Sequence, residues 1–201
     1  MPRPDVIVIG AGPAGLAVSH ELTEAGVEHV VLERGRVAQT WRERWDSFCL
    51  VTPNWTVRLP GGTYDGPDPD GFMPRDQIVE HFAGYAGRFG APVRENVTVE
   101  ALRPTGDDGL ALETSEGPMS ARAVVVASGA FQKPHRPPAA SALPSDLLTI
   151  DAERYTNPEA LPKGAVLVVG SGQTGCQIAE ELHASGRDVI VACGNLAAPT
   201  Q

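Results

Sequence analysis

The chain carries the same glycine-rich motif twice, and this repetition constrains its fold more than any other feature. The segment Val6–Gly15 (VIVIGAGPAG) returns as Val166–Gly175 (VLVVGSGQTG). Similarity at a fixed offset indicates a structural repeat rather than coincidence. In each copy an apolar, β-branched run typical of a buried parallel strand leads into G-x-G-x-x-G and then an amphipathic pattern. We therefore predict an α/β protein with two strand–helix–strand units.

The glycines of such a motif have separate physical roles. The first permits a tight turn, the second lets the backbone approach a pyrophosphate, and the third lets the helix pack closely on the strand. The pyrophosphate then lies at a helix N-terminus, where free N–H groups and the helix dipole favour negative charge. Two incidental glycine turns are the alternative, which the strand-to-helix context disfavours. The predicted dinucleotide-binding residues are Gly10, Gly12, Pro13, Ala14 and Gly15 in the first copy and Gly170, Ser171, Gly172, Gln173, Thr174 and Gly175 in the second.

The two copies differ at the position that reads the ribose. The second strand of the first copy, His29–Leu32, ends at Glu33, and a carboxylate there accepts hydrogen bonds from a ribose diol. The equivalent residue of the second copy is Cys193, so NAD loses its usual anchor. No basic residue that could bind a 2′-phosphate follows in 194–201. The first site is therefore expected to be complete at its ribose end, and the second is not.

Charge and cysteine usage exclude several classes of function. A formal net charge of −9 argues against nucleic acid or an anionic membrane as a partner. No apolar stretch is long enough for a signal segment or a membrane span, so a cytoplasmic protein is expected. The three cysteines form no C-x-x-C pair, which argues against a dithiol reductase. The five histidines lack metal-ligand spacing, and no metal site is predicted.

Between the two motifs the pattern changes several times. Residues 34–75 are irregular and rich in aromatics, glycine and proline, as functional loops often are. Residues 76–89 have helical periodicity, and 97–122 read as a small β-meander with turns at Asp107–Gly109 and Glu116–Pro118. Ala123–Ala127 is predicted to be a further buried strand that ends at Ser128-Gly129.

Several of these segments also carry a family resemblance: Gly10–Gly15, Glu33-Arg34, Trp41–Trp45, Leu50–Asn54, Ala127–Gly129 and Gly170–Gly175. The chain resembles the N-terminal part of the class B flavoprotein monooxygenases, which include flavin-containing and Baeyer–Villiger monooxygenases. Within that group it is most similar to bacterial monooxygenase-like flavoproteins associated with cation efflux. The resemblance implies an FAD-binding Rossmann domain of the three-layer ββα type at 1–132 and a Pro-rich connector at 133–163. An incomplete NAD(P)-binding Rossmann unit would follow at 164–201.

The resemblance also implies roles for individual residues. The first glycine motif and Glu33 would hold the ADP half of FAD, Arg34 would also contribute to cofactor binding, and the second glycine motif would bind NADPH. Thr40 and Trp41 would lie against the flavin, with Thr52 and Asn54 near the flavin and nicotinamide. The chain would leave the FAD domain at the turn formed by Ala127 and Gly129. For Trp41 and Trp45, packing as loop anchors is an equally good interpretation.

Three departures from the family pattern stand out. Ser145, Leu147 and Asp151 occupy the Phe, Gly and His places of the family fingerprint F-x-G-x-x-x-H, and only the following aromatic, Tyr155, fits. The arginine expected after the second strand, at Gly194, is absent. Related proteins also continue well beyond residue 201, so a partner chain or a second copy is expected to cover the sheet of the second unit.

The implied activity is an FAD-dependent, NADPH-using monooxygenase. NADPH would reduce FAD, and a flavin C4a-peroxide formed with oxygen would then oxygenate a small organic substrate. No catalytic residue is predicted, because the flavin performs the oxygen chemistry; Asp151 reads better as an exposed loop carboxylate than as a catalytic group. Two alternatives remain open: a truncated flavin-binding protein without activity, and an uncoupled NAD(P)H oxidase or reductase that releases peroxide.

Overall fold

The computed structural model describes residues 3–106, 109–130 and 133–194. The chain forms two compact units, of which the first contains Met1–Glu43 and Thr52–Gln132, and the second contains Arg44–Val51 and Lys133–Gln201. The sequence alone places 44–51 with the residues around it, whereas these residues pack within the second unit because Trp45 is buried in that unit's core.

The first unit contains a parallel sheet and an antiparallel meander. Its elements in chain order are β1 (Val6–Ile9), α1 (Pro13–Glu24), β2 (His29–Leu32), α2 (Gln39–Arg42), β3 (Arg58–Leu59), β4 (Gly62–Thr63), α3 (Arg75–Arg88), β5 (Val93–Arg94), β6 (Val99–Pro104), β7 (Leu110–Thr114), β8 (Gly117–Ala121) and β9 (Ala123–Val126). The parallel strands are ordered β5-β2-β1-β9, and the meander is ordered β6-β7-β8.

The parallel sheet brings three chain segments to one edge. Ile9 is paired with Leu32 on one side and with Val126 on the other, so β1, β2 and β9 end level with one another. Gly10, Glu33 and Ala127, the residues that follow these ends, therefore meet at the carboxyl edge of the sheet. This edge is where open α/β sheets bind their ligands.

The sheet is covered on both faces, as its β-branched strands predict. Ile7 and Leu32 are buried in a cluster with Leu112 and Ala121 of the meander. Because successive strand residues point to opposite faces, the buried Val8 faces the other side, where α1 contacts β1 and β2. This arrangement is the mixed α/β fold expected from the sequence.

The middle of the chain follows the predicted pattern with local differences. Helix α3 begins and ends one residue earlier than predicted and buries the apolar positions of the 76–89 stretch. The second meander turn lies at Ser115–Glu116, because Gly117 and Pro118 already pair with β7. The first predicted turn, at Asp107 and Asp108, falls outside the described residues.

The second unit repeats the local architecture of the first. It contains β10 (Val166–Val169), α4 (Gln173–Ala184) and β11 (Val189–Ala192), and the register of Val169 with Ala192 matches that of Ile9 with Leu32. In the described part of the chain β10 pairs with β11 alone, and Val169 and Ile190 remain largely exposed.

The connector of the second unit is held by side chains rather than by a sheet. Short 3-10 turns form at Pro138–Ala142, Ala152–Arg154 and Pro158–Ala160. The guanidinium of Arg187 donates to the carbonyls of Pro158, Leu161, Pro162 and Gly164. One cation therefore fixes the path by which the connector reaches β10.

Candidate dinucleotide-binding sites

Two glycines of the first motif are required by the packing of the protein itself. Gly10 has a φ of +106°, and a Cβ on it would lie 2.5 Å from the carbonyl oxygen of Ala127. A Cβ on Gly15 would lie 1.8 Å from the carbonyl oxygen of Gly10. In both cases the obstacle is backbone, which cannot move aside as a flexible side chain would.

Gly12 differs, because nothing in the protein demands a glycine there. Its φ of −84° suits any residue, and a Cβ on it would meet no atom of 3–106, 109–130 or 133–194 within 4 Å. The residue is the N-cap of α1, Pro13 is the first helical residue, and the first turn carries no acidic side chain. The space beside Gly12 is therefore open at a helix N-terminus, where an anionic group is stabilised by free N–H groups and the helix dipole.

Glu33 fixes the glycine loop from the neighbouring strand. Its carboxylate is almost fully buried and accepts hydrogen bonds from the backbone N–H groups of Ala11, at 2.8 Å, and Gly35, at 3.0 Å. A carboxylate offers about four acceptor positions. The two protein donors therefore order the group while leaving acceptor capacity for the hydroxyls of a ribose.

A feature that the sequence did not reveal is the link from this loop to α2. Ala38 lies in the left-handed region, with a φ of +62°, and its N–H donates to the carbonyl of Ala11 at 3.1 Å. Ala38 is the N-cap of α2, and its carbonyl accepts from the N–H groups of Trp41 and Arg42 in that helix. Alanine carries no sequence signal for a positive φ, which asparagine or glycine would have given.

The two predicted flavin-facing residues on α2 lie in different environments. Thr40 is exposed, whereas the Trp41 ring is half-buried and lies 6.1 Å from the Phe82 ring of α3, centroid to centroid. Arg34, before α2, forms an exposed pair with Glu43 at 3.9 Å. Their contacts with FAD stay predictions.

Asn54 is occupied in bracing its own loop. Its side-chain oxygen accepts from the N–H of Met73 at 2.7 Å, and its amide nitrogen donates to the carbonyl of Asp68 at 2.8 Å. The exposed Thr52 accepts from the Thr56 hydroxyl. The predicted position of Thr52 and Asn54 near the flavin is therefore compatible with a structural role for the Asn54 amide, and direct contact stays a prediction.

The turn after β9 completes the edge of the first unit. Ala127 donates its N–H to the carbonyl of Ile9 at 2.8 Å and flanks Gly10. Gly129 has a φ of +81°, which permits the chain to turn away from the sheet. Both residues thus shape the carboxyl edge where the glycine loop lies.

The second glycine motif reproduces the geometry of the first. Gly170 has a φ of +110°, and a Cβ on Gly175 would lie 2.0 Å from the Gly170 carbonyl oxygen. A Cβ on Gly172 would again meet no atom of the described part of the chain within 4 Å. The side chains around this open N-terminus of α4 are exposed, namely those of Ser171, Gln173 and Thr174.

The surroundings of the second motif are less constrained. Among the described residues, no atom beyond the adjoining residues lies within 4 Å of a Cβ built on Gly170, whereas Ala127 closes the first site beside Gly10. Directly after β11 stands an exposed thiol, Cys193, where Glu33 stands in the first unit. The predicted lack of a basic residue concerns 194–201, of which only Gly194 lies within the described residues.

Asp151 and Tyr155, at the connector's fingerprint positions, are engaged in structural pairs. Asp151 accepts two hydrogen bonds from the guanidinium of Arg136, at 2.7 and 2.8 Å, and this partner lowers the pKa of the Asp151 carboxyl. The Tyr155 hydroxyl donates to Glu181 at 2.6 Å, and burial, followed by that hydrogen bond, raises the pKa of Tyr155. The Asp151 side chain is 20% exposed, so it is half-buried and ion-paired rather than the exposed loop carboxylate predicted from the sequence.

His81 lies on α3 in the first unit. Its Nε2 atom is buried and has no hydrogen-bond partner among the described residues. Burial lowers the pKa of His81, the charge of Arg88 lowers it further, and Asp65 acts in the opposite direction.

No group of three or more His, Cys, Asp or Glu side chains in 3–106, 109–130 and 133–194 is arranged to hold a metal ion. Within the same ranges, no helix is long and apolar enough to cross a bilayer.

Comparison with known proteins assigns this geometry to a family. A model of the pyridine nucleotide-disulphide oxidoreductases matches residues 7–197. An uncharacterized CzcO-like oxidoreductase of Geobacillus kaustophilus is 39% identical over 192 residues, which are 95% of this chain and 54% of that protein. The indole-3-pyruvate monooxygenase YUCCA1 of Oryza sativa is 32% identical over 194 residues, covering 91% of this chain and 46% of that one.

A solved structure gives the same picture of the fold. The flavin-containing monooxygenase of Stenotrophomonas maltophilia superposes with a TM-score of 0.84 at 23% identity, over 98% of this chain and 60% of that one. The chain spans about half the length of the curated relatives it matches. The resemblance to flavoprotein monooxygenases predicted from the sequence is confirmed.

Proposed function

Because the chain belongs to the pyridine nucleotide-disulphide oxidoreductase family, we propose that its first unit binds FAD and its second unit binds NADPH, as part of a flavin-dependent oxidoreductase of the monooxygenase type. The observation that carries the proposal is a duplicated glycine loop, here called the cradle, at Gly10–Gly15 in the first unit and Gly170–Gly175 in the second. In each unit one glycine is locked against backbone, at Gly15 and Gly175, while another leaves open space at a helix N-terminus, at Gly12 and Gly172. The fold needs the first kind of glycine, whereas only a ligand needs the second.

Differences between the two cradles support the assignment of FAD to the first unit and of NADPH to the second. The first loop is held by Glu33, Ala38 and Ala127 before any ligand arrives, so little ordering is required on binding. The second loop lacks the equivalent of Glu33 and has exposed side chains around it. A preorganised site suits a permanently held FAD, and a less constrained site suits NADPH, which must leave after each turnover.

The residues of this chain would bind and orient the two cofactors. FAD, when bound, supplies hydride acceptance and oxygen activation, and NADPH supplies the hydride. The open N-termini of α1 and α4 would stabilise the two pyrophosphates, and Glu33 would accept from the FAD ribose. Trp41 and its Phe82 neighbour would provide an apolar surface that limits the access of water to the flavin.

The substrates proposed for the complete reaction are oxygen and a small organic molecule. The net charge of −9 disfavours nucleic acid and anionic membranes as partners. The three cysteines are free, as is common for proteins of a reducing compartment, which supports the cytoplasm as the location.

A second candidate activity is that of an uncoupled NAD(P)H oxidase. The exposure of Ser171, Gln173 and Thr174 around the second motif favours it, because a dinucleotide held loosely there would leave after reducing the flavin and would not help to keep water from the flavin.

The proposal is tested by reconstituting the purified chain with FAD and measuring NADPH oxidation, oxygen uptake and hydrogen peroxide together. A monooxygenase retains most of the oxygen in product when a suitable amine, sulfide or ketone is present. An uncoupled oxidase releases one peroxide per NADPH whatever substrate is added. If the chain retains no FAD after desalting, the proposed function of the first unit is wrong.

A further inference from the structure

The segment Arg44–Val51, here called the strap, belongs to the second unit although the residues on both sides of it belong to the first. The chain leaves the first unit after Glu43 and returns to it at Thr52. Helix α2, with Trp41, directly precedes the strap, and Thr52 and Asn54 directly follow it. Both neighbouring segments are those proposed to lie against the flavin.

A single large side chain anchors the strap in the second unit. Trp45 is 1% exposed and packs in a cluster with Tyr155, Ile178 and Leu182. Its ring also meets the strap's own Phe48 edge to face, at 4.9 Å between centroids. The indole N–H has no acceptor among the described residues, so shape and apolar contact hold the ring in place.

Polar contacts fix the strap on either side of Trp45. The N–H of Asp46 donates to the carbonyl of Thr156 at 2.9 Å, and the Asn157 amide donates to the Asp46 carboxylate at 2.8 Å. Farther along, the Gln177 amide donates to the carbonyl of Cys49 at 3.1 Å. The strap is thus tied to the connector near one end and to α4 near the other.

The tie to α4 is important because of where it lies on that helix. Gln177 and Ile178, which contact Cys49 and Trp45, come about one and a half turns after Gly172, the N-cap at the open end of the second glycine motif. The helix proposed to receive the nicotinamide dinucleotide is therefore also the helix that holds the strap.

We propose that the strap is a coupling element. Through it, contacts made in the second unit limit the motion of α2 and of residues 52–57 in the first unit. Anchoring of both its ends limits the positions available to Glu43 and Thr52, and hence to the segments that continue from them. The flavin-facing role of those segments rests on the proposed function, whereas their dependence on the strap does not. If both hold, dinucleotide binding at the second motif and flavin binding at the first affect each other equally, as linkage requires.

Amide hydrogen exchange in the purified, cofactor-free chain tests the coupling directly. The reporters are protected amides of the first unit next to the strap, namely those of Arg42, Glu43, Asn54 and Val57. The variant Asn157→Asp removes the donor to Asp46 and places two carboxylates together, while its remaining oxygens still accept from the N–H of Ala160. Exchange at the reporters is expected to become roughly fivefold faster, the change that follows from losing one net hydrogen bond.

Two controls separate coupling from general loosening. The double variant Asp46→Asn with Asn157→Asp exchanges donor and acceptor, keeps the net charge of the native pair and is expected to restore slow exchange. Asp151→Asn breaks the ion pair with Arg136 elsewhere in the same connector, and it is expected to leave the reporters unchanged. Gln177→Leu frees Cys49 without adding a charge, and it serves if Asn157→Asp unfolds the second unit.

The outcome is read from which amides respond. Faster exchange at the reporters, with unchanged exchange at Val31 in the first sheet, supports the coupling. Faster exchange at Asp46 and Phe48 within the strap, with unchanged reporters in both Asn157→Asp and Gln177→Leu, overturns it. Because no cofactor is present, neither result depends on whether the proposed function is correct.

Discussion

Alanine substitutions at Gly12 and Gly15 distinguish a glycine that ligand binding requires from a glycine that folding requires. Gly12→Ala adds a methyl group to open space, while Gly15→Ala forces a methyl group to within 1.8 Å of the Gly10 carbonyl oxygen. The same pair exists in the second unit as Gly172→Ala and Gly175→Ala, where the corresponding distance is 2.0 Å. Each unit thus provides its own matched control.

The expected magnitudes differ sharply. For Gly15→Ala, backbone must move by more than an ångström in a packed region, which costs about 3 kcal/mol or more. For Gly12→Ala, the poorer N-cap costs about 1 kcal/mol or less, and the reduced freedom of the unfolded chain returns about 0.4–1 kcal/mol. The folding stability of the Gly12 variant is therefore expected to stay within about 1 kcal/mol of the native value. Its FAD affinity is expected to fall at least about tenfold, because the methyl group occupies the approach of the pyrophosphate.

Two measurements on the same samples distinguish a change in folding stability from a change in FAD affinity. Urea unfolding followed by tryptophan emission gives the stability, and titration of flavin fluorescence gives the FAD affinity. A Gly12→Ala protein that is stable and binds FAD with native affinity would refute the assignment of the open space to a pyrophosphate. If Gly15→Ala were as stable as the native chain, the argument from backbone contact would be wrong.

Three further substitutions test separate parts of the account. The stability of the native chain should fall as the pH drops below 6.5, the ordinary pKa of His81, because burial keeps this ring neutral; pH-dependent urea unfolding of His81→Leu should lack that loss. Arg187→Met removes four carbonyl contacts and should cost about 2 kcal/mol, measured by urea unfolding, whereas an unchanged midpoint would contradict the role of this clamp. Glu33→Gln keeps one acceptor oxygen and turns its amide N–H group toward the other backbone donor, Ala11 or Gly35; urea unfolding should show a loss of about 1–3 kcal/mol, and calorimetric titration should show weaker FAD binding.

The helices and strands of this fold can be predicted from the sequence, because local sequence preferences and tertiary packing favour the same structure in these segments. The runs at Val6–Ile9 and Val166–Val169 are β-branched and bounded by glycine, and both form the expected parallel strands. The apolar spacing of α3 likewise leads to a buried face that includes Phe82 and Tyr85. In these segments few alternative structures compete.

The candidate site can be predicted only in part, because many of its contacts join residues that are far apart in the chain. The positive φ of Ala38 is imposed by its place beside Ala11, and an alanine gives no sign of it. The indole of Trp45 could anchor a loop of either unit, and only the tertiary structure assigns it to the core with Tyr155. The sequence predicts Asn54 as a polar residue of the site, whereas its side-chain amide forms hydrogen bonds with the backbone of Asp68 and Met73.

The most direct test of the central claim is an absorption spectrum of the FAD-reconstituted chain before and after anaerobic addition of NADPH. We expect a yellow protein whose visible flavin band is bleached by NADPH, and we expect Gly172→Ala to lose this bleaching while its FAD remains bound. A colourless protein after reconstitution, or a flavin that NADPH reduces equally well in Gly172→Ala, would contradict the assignment of the two cradles.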